Sequence, residues 1–177
     1  MGIGNVESIA NWVFRCGFDY EYQHGNDIYR HEKNILIIPG VANSVGLMRA
    51  INKNEILKNK IKNKTYRRVV GICAGFHVLT NYIEEGPEKM KGLELINART
   101  KNMERYRTGW AAINFNIKNS EHLRKQVYFN HGCAVYAMYG KNEQMDMMIE
   151  KKIIGLQFHP EKSGEYGVML GMEILNV

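Results

Sequence analysis

The chain is poor in cysteine and proline and has no long apolar run, and each shortage removes a class of protein. Three cysteines stand among 177 residues, at positions 16, 73 and 133. An odd, widely spaced set forms neither a disulfide framework nor the paired spacing of a metal site. A reduced, cytoplasmic setting is therefore expected, with no metal and no cofactor. No stretch approaches the roughly 18 consecutive apolar residues of a membrane helix, so no membrane partner is expected. No signal peptide is visible either. Prolines number three, and no linker, repeat or low-complexity segment divides the sequence. Residues 1–177 are expected to form one domain, and 45% hydrophobic content supplies it with a real core.

Charge is the first thing present in excess. The formal net charge is +6, with clusters at Lys58 to Lys64 and at Arg67-Arg68. Such a run is more often a solvated face than a binding site. No nucleic-acid motif accompanies it, so no nucleic-acid partner is expected. An acidic partner surface is the other match such a charge offers.

Hydrophobic patterning predicts alternating elements. Asn5 is placed to cap a helix carrying Val6, Ile9, Ala10, Val13 and Phe14 at helical spacing. Asn34 to Ile38 reads as a strand and Ser44 to Lys60 as a helix. A strand at Val69-Val70 leads to a helix ending near Glu84-Glu-Gly86-Pro87. Trp110 to Ile117, Gln126 to Asn130, Cys133 to Met138 and Met145 to Glu150 are strand candidates. Ile153 to Phe158 is the last strand, and Gly164 to Leu175 a closing helix. Early βα alternation followed by a strand-rich middle predicts an α/β sandwich on a mixed sheet.

The most informative segment is Gly71-Ile-Cys-Ala-Gly75, between that β-branched strand and the helix begun by Phe76. A free cysteine usually only packs. One flanked by glycines on a strand-to-helix turn fits a nucleophile elbow instead, with its side chain exposed above the sheet. The next N–H, that of Ala74, then points to where an oxyanion would form. A base is also required. His159 and Glu161 follow the apolar strand Ile153 to Phe158, with Pro160 between them. Pro160 favours an extended His159, and residues two apart in extended chain point the same way. One carboxylate can then hold one imidazole nitrogen and leave the other for Cys73.

Taken together, these segments resemble the class I (triad) glutamine amidotransferases, and within them the glutaminase subunit of imidazole glycerol phosphate synthase. Gly4-Asn5, Ile37-Ile-Pro-Gly-Val41, the Cys73 elbow, Glu84-Glu-Gly86, Gly109-Trp110, Tyr128-Phe-Asn-His131 and Gln157-Phe-His-Pro-Glu-Lys-Ser163 match in order over nearly the whole chain. The resemblance implies a three-layer, flavodoxin-like sandwich on a central, mostly parallel sheet. It implies glutamine as substrate, a Cys73–His159–Glu161 triad, and a β/α-barrel synthase or cyclase subunit that receives ammonia. Val41 N–H would be the second oxyanion donor. Gly40, Ala42, His77, Glu85, His131 and Gly132 would surround glutamine. Asn5, Trp110, Tyr128 and Lys162 would face the partner.

The chain departs from that family at four places. It starts Met1-Gly-Ile-Gly-Asn5 where relatives first have an apolar strand, so either the start is misassigned, or the chain is truncated, or the sheet lacks its first strand. His77 stands in place of a glutamine, Ala42 in place of a glycine, and Gly132-Cys133 in place of a Ser-Tyr pair. These changes surround the substrate while the triad is intact. A paralogue serving another pathway, such as sugar amidation, is one reading. A catalytically silent regulatory subunit and a partner-free hydrolase of γ-glutamyl bonds are the competing ones.

Overall fold

The computed structural model describes residues 3–22, 34–40, 43–113, 125–138 and 143–176, with side chains from Val6 onward. Val41 and Ala42 lie outside the described residues. So do residues 114–117, the end of the predicted strand from Trp110.

The strands divide between two sheets. The first has the order β1 (Ile35–Ile38), β2 (Arg68–Ile72), β9 (Ile153–Leu156), β8 (Met147–Glu150). β1 and β9 both run parallel to β2, and β8 is antiparallel to β9. Its inner strands β2 and β9 are buried on both faces, as parallel strands covered on two sides must be. Val70, Ile72, Ile154 and Leu156 pack into a core with Ile9, Trp12 and Val13 of helix α1 (Ile3–Arg15) and with Val168 and Leu170 of helix α5 (Gly164–Leu175). Val69 and Ile153 face the other way, into a core with Met48, Ile51, Phe76 and Leu79. The alternation of neighbours along β2 and β9 gives helices a place on both faces and so three layers.

The second sheet has the order β4 (Glu88–Lys91), β3 (Thr80–Glu85), β5 (Ile96–Ala112), β6 (Gln126–Ala137), β7 (Gln144–Met145). It is antiparallel except where β3 meets β5. The strand-rich middle of the sequence therefore builds a separate sheet rather than extending the first.

Several boundaries differ from the sequence expectation for identifiable reasons. Asn5 is not a cap but lies in the first turn of α1. The helix expected from Ser44 to Lys60 is two helices, α2 (Ser44–Lys53) and α3 (Glu55–Lys62), divided at Asn54. The Asn54 side chain accepts the Leu57 N–H, so a local polar bond starts a new helix. The elbow helix α4 is short, Ala74–Leu79, because Thr80 already begins β3. The two candidates at 126–130 and 133–138 are one strand, β6.

The segment read as one strand from Met145 to Glu150 is split at Asp146. Met145 pairs with β6 in the second sheet, and Met147 with β9 in the first. Asp146 is fully buried and its carboxylate accepts from Arg107 Nη1 at 2.6 Å.

Among the described residues no helix is long and apolar enough to cross a membrane. No group of three or more His, Cys, Asp or Glu residues there is placed to hold a metal ion.

Candidate active site

Cys73 stands between β2 and α4 with φ 51° and ψ −111°. A non-glycine residue at positive φ is strained by about 1–3 kcal/mol and persists only where its surroundings fix it. Here the surroundings do so. Cys73 N donates to the Leu156 carbonyl at 2.7 Å, and its own carbonyl accepts from Phe76 N at 2.9 Å. The strain falls on the cysteine itself. The flanking glycines serve close approach: a Cβ at Gly75 would run into the Ile38 carbonyl, and one at Gly71 into the Gly75 carbonyl. Ala74 is the first residue of α4, so its N–H has no acceptor within the helix. Gly40 closes the corner, since a Cβ there would lie 2.7 Å from the Cys73 Cβ and 3.5 Å from Ala74 N.

His159 reaches the same corner from the end of β9. Its N–H donates to the Tyr128 carbonyl at 2.9 Å, which ties it to β6. Its Nδ1 meets Glu161 Oε1 at 2.8 Å. A carboxylate only accepts, so Nδ1 carries the proton. The route differs from the expected extended dipeptide. Only His159 is extended, and Pro160–Lys162 form a 3₁₀ turn that brings Glu161 back under the ring. Nε2 is buried without a completed protein hydrogen bond and is turned to Cys73. Burial lowers the imidazole's affinity for a proton. The Cys73 sulfur and Glu161 outweigh it, and the pKa stands raised at about 9. The imidazole therefore holds a proton at neutral pH beside the sulfur. The Cys73 Sγ also lies 3.9 Å from the Asn130 carbonyl oxygen.

The expected substrate contacts are distributed unevenly. Glu85 Oε2 accepts from the Ser44 and Val45 N–H groups at 2.6 and 3.4 Å, capping α2. His77 is buried, with Nδ1 at 2.7 Å from Ser44 Oγ and Nε2 at 3.0 Å from Gln157 Oε1. Both ring nitrogens are thus occupied by protein. Burial holds its pKa down at about 4, so it is neutral. His131 is likewise neutral, lowered to about 4 chiefly by burial. Its Nδ1 donates to the Cys133 carbonyl at 2.8 Å, leaving a buried Nε2 acceptor. Gly132 lies under Tyr106, where a Cβ would come 3.1 Å from the ring. Burial pushes the Cys133 thiol up to about 12, which makes it a poor second nucleophile.

Three of the four residues expected at a partner face form one surface patch, with Trp110 and Lys162 exposed and Tyr128 half-buried. The Trp110 and Tyr128 rings meet edge to face at 6.1 Å, and Lys162 Nζ sits 5.7 Å from the Tyr128 ring centre. Trp110 is 54% exposed. The Asn5 backbone is in α1, and its side chain lies outside what is described. Sequence reasoning missed Ser44, Arg107 and Asp146. Gln157 stood in a recognised motif, and that position was the available signal.

The chain belongs to the CobB/CobQ-like glutamine amidotransferase domain family, whose profile matches residues 18–159. Among curated relatives, it is 34% identical to the imidazole glycerol phosphate synthase subunit HisH 2 of Methanococcus maripaludis, covering 96% of this chain and 93% of that protein. It is 30% identical to the imidazole glycerol phosphate synthase subunit HisH of Staphylococcus epidermidis, covering 99% and 91%.

Among solved structures, a glutamine amidotransferase superposes with a TM-score of 0.67 at 14% identity, covering 97% of this chain and 94% of that one. A glutamine amidotransferase from Thermotoga maritima gives 0.57 at 14% identity, covering 86% and 69%. At such identities these two speak for the fold alone. The family and the curated relatives make the chain an enzyme of the glutamine amidotransferase class.

Proposed function

We propose that the protein is the glutaminase subunit of a synthase and passes ammonia to a partner subunit. The carrying observation is the buried His159 imidazole, held at Nδ1 by Glu161 and turned at Nε2 to a cysteine fixed at φ 51°. The names of the two HisH relatives support imidazole glycerol phosphate synthase, and so histidine synthesis, as the setting.

In the proposed reaction, the Cys73 thiol proton passes to His159 Nε2 and the thiolate attacks the glutamine carboxamide carbon, forming a C–S bond and a tetrahedral oxyanion. Ala74 N–H and the expected Val41 N–H stabilise that charge. One such donor is worth on the order of 3 kcal/mol. His159 gives its Nε2 proton to the leaving nitrogen, the C–N bond breaks, and ammonia departs. Water, losing a proton to His159, then opens the thioester to glutamate and restores the thiol. Glu161 holds the tautomer and offsets the imidazolium charge throughout. Gly40, Ala42, His131 and Gly132 would line the glutamine pocket. His77 and Glu85 would act through the residues they bind.

Released ammonia would be protonated in water and lose its nucleophilicity, so a docked acceptor subunit completes the function. Trp110, Tyr128 and Lys162 offer an aromatic patch with a cationic rim, the composition of an interface. A β/α-barrel cyclase is the partner proposed, and the compartment proposed is the cytoplasm.

The test is labelling with 6-diazo-5-oxo-L-norleucine, with and without purified cyclase subunit, alongside a glutaminase assay. Labelling at Cys73, lost in Cys73→Ser, is the expected result. No label and no glutamate release under either condition would overturn the reading.

A further inference from the structure

We infer that His77 is a positioning residue that ties the first turn of α2 to the strand end carrying His159. The inference deepens the glutaminase reading and rests on it for its chemical readout. Its basis is a chain of polar contacts joining β3, α2 and α4 to the bend after β9, buried from Ser44 to Gln157. Glu85 of β3 accepts the Ser44 N–H at 2.6 Å. Ser44 Oγ meets His77 Nδ1 at 2.7 Å, and His77 Nε2 meets Gln157 Oε1 at 3.0 Å. Gln157 lies two residues before His159, and its N–H donates to the Asp146 carbonyl at 2.8 Å.

Ser44 and Gln157 are 0% exposed and His77 is 2% exposed, so no solvent substitutes for these bonds. The roles are fixed in sequence along the chain. The Gln157 carbonyl oxygen only accepts, so His77 Nε2 carries the hydrogen. Nδ1 is then the acceptor for the Ser44 hydroxyl. A neutral imidazole is the form that does both, and burial keeps it neutral.

The two ends of this tie matter to chemistry. Ser44 follows Gly40 by four residues, and Gly40 abuts Cys73 and Ala74 N. At the other end, Gln157 leads into the base. The His77 backbone is itself anchored, because the Thr80 hydroxyl donates to its carbonyl at 2.8 Å. His77 thus sets the spacing between the start of α2 and the bend that leads from β9 to His159. It needs no contact with substrate to do this.

The experiment measures labelling of Cys73 by 6-diazo-5-oxo-L-norleucine in the full chain with cyclase subunit present, as separate kinact and KI values. His77→Phe and Ser44→Ala are each expected to lower kinact by roughly tenfold or more, because misplacement far from the reacting atoms slows chemistry. KI should stay within about twofold. His77→Gln should recover most of the rate, since a carboxamide offers both an acceptor oxygen and a donor NH2 group. The Ser44→Ala/His77→Phe double variant should be no slower than His77→Phe, as links of one chain are not additive.

A raised KI with unchanged kinact, or additive losses, would overturn the inference and make His77 a direct or independent contact. If His77→Phe does not fold, Ser44→Ala against wild type carries the same comparison. If wild type is not labelled, the glutaminase reading fails and the tie is read by amide exchange. Faster exchange at Ser44 to Gly46 in Ser44→Ala supports it, and unchanged protection overturns it.

Discussion

Gly40 and Cys73 are in contact across the elbow: a Cβ at position 40 would lie 2.7 Å from the Cys73 Cβ and 2.8 Å from the Ile72 carbonyl oxygen. Neither neighbour is the far end of a flexible side chain. Gly40→Ala must therefore displace β1 or the elbow. Overpacking of this kind costs about 1–3 kcal/mol. Labelling of Cys73 should fall by about 100-fold, because the displaced atoms are the proposed nucleophile and its proposed oxyanion corner. Intact-mass kinetics and a urea melt on the same variant separate the two effects.

The imidazole of His159 gives a pH signature. Burial alone would lower its pKa, but Cys73 and Glu161 raise it from 6.5 to about 9. A group whose folded pKa lies above its unfolded value stabilises the fold fully below the unfolded pKa. That contribution disappears as pH rises through the folded one. His159 should therefore stabilise the fold below pH 6.5 and cease to do so above about 9. Urea unfolding of wild type should show this decline. In Glu161→Gln, which removes one raising partner, the decline should begin at lower pH. An identical pH profile in the two proteins would contradict this assignment.

Arg107 and Asp146 make a different prediction. Their ion pair is 2.6 Å long, with the Asp146 side chain 1% exposed and the Arg107 guanidinium stacked 3.5 Å from the Phe129 ring centre. Arg107→Leu leaves a buried carboxylate without its charge partner, and breaking such a pair costs about 3–5 kcal/mol. Arg107 is 25% exposed on its side chain, so water recovers part of this, and a loss near the lower bound is expected. Chemical denaturation should place most of the change in the midpoint rather than the slope.

Trp110→Ala should cost the fold about 1 kcal/mol, because the residue is 54% exposed and its ring still packs on Tyr128. Cyclase association and any partner-stimulated glutaminase rate should drop by at least tenfold, as a central aromatic at an interface typically contributes about 2 kcal/mol. Lys162→Glu should lower the association rate more than the stability of the complex already formed. Both are measurable by titration calorimetry and stopped flow.

How much of this was legible in the sequence differs from one feature to the next. The elbow and the closing helix were readable because local chemistry dictates them. Glycines flank Cys73, and the closing helix Gly164–Leu175 has the expected bounds. An α/β sandwich on a mixed sheet was readable from βα alternation, and its three layers were implied by the family resemblance. Its division into two sheets was not, since whether Met145 and Met147 pair with β6 or β9 depends on distant strands. The break at Asn54 was hidden because its neighbours are good helix formers, and only the capping bond to Leu57 reveals it.

The carboxylate–imidazole contact was expected from i, i+2 alternation and arises instead from a 3₁₀ turn. Ser44, Arg107 and Asp146 carried no local signal. Their partners lie 33 to 41 residues away in sequence, and only the folded chain joins them.

The bond from His159 N to the Tyr128 carbonyl has a consequence of its own. It is made by main-chain atoms, whereas the patch beside it is made by side chains. The side chain at position 128 can be exchanged while the histidine stays where it is. Substitution on the outer face and conservation of the chemistry are thereby uncoupled, within one residue of the polypeptide.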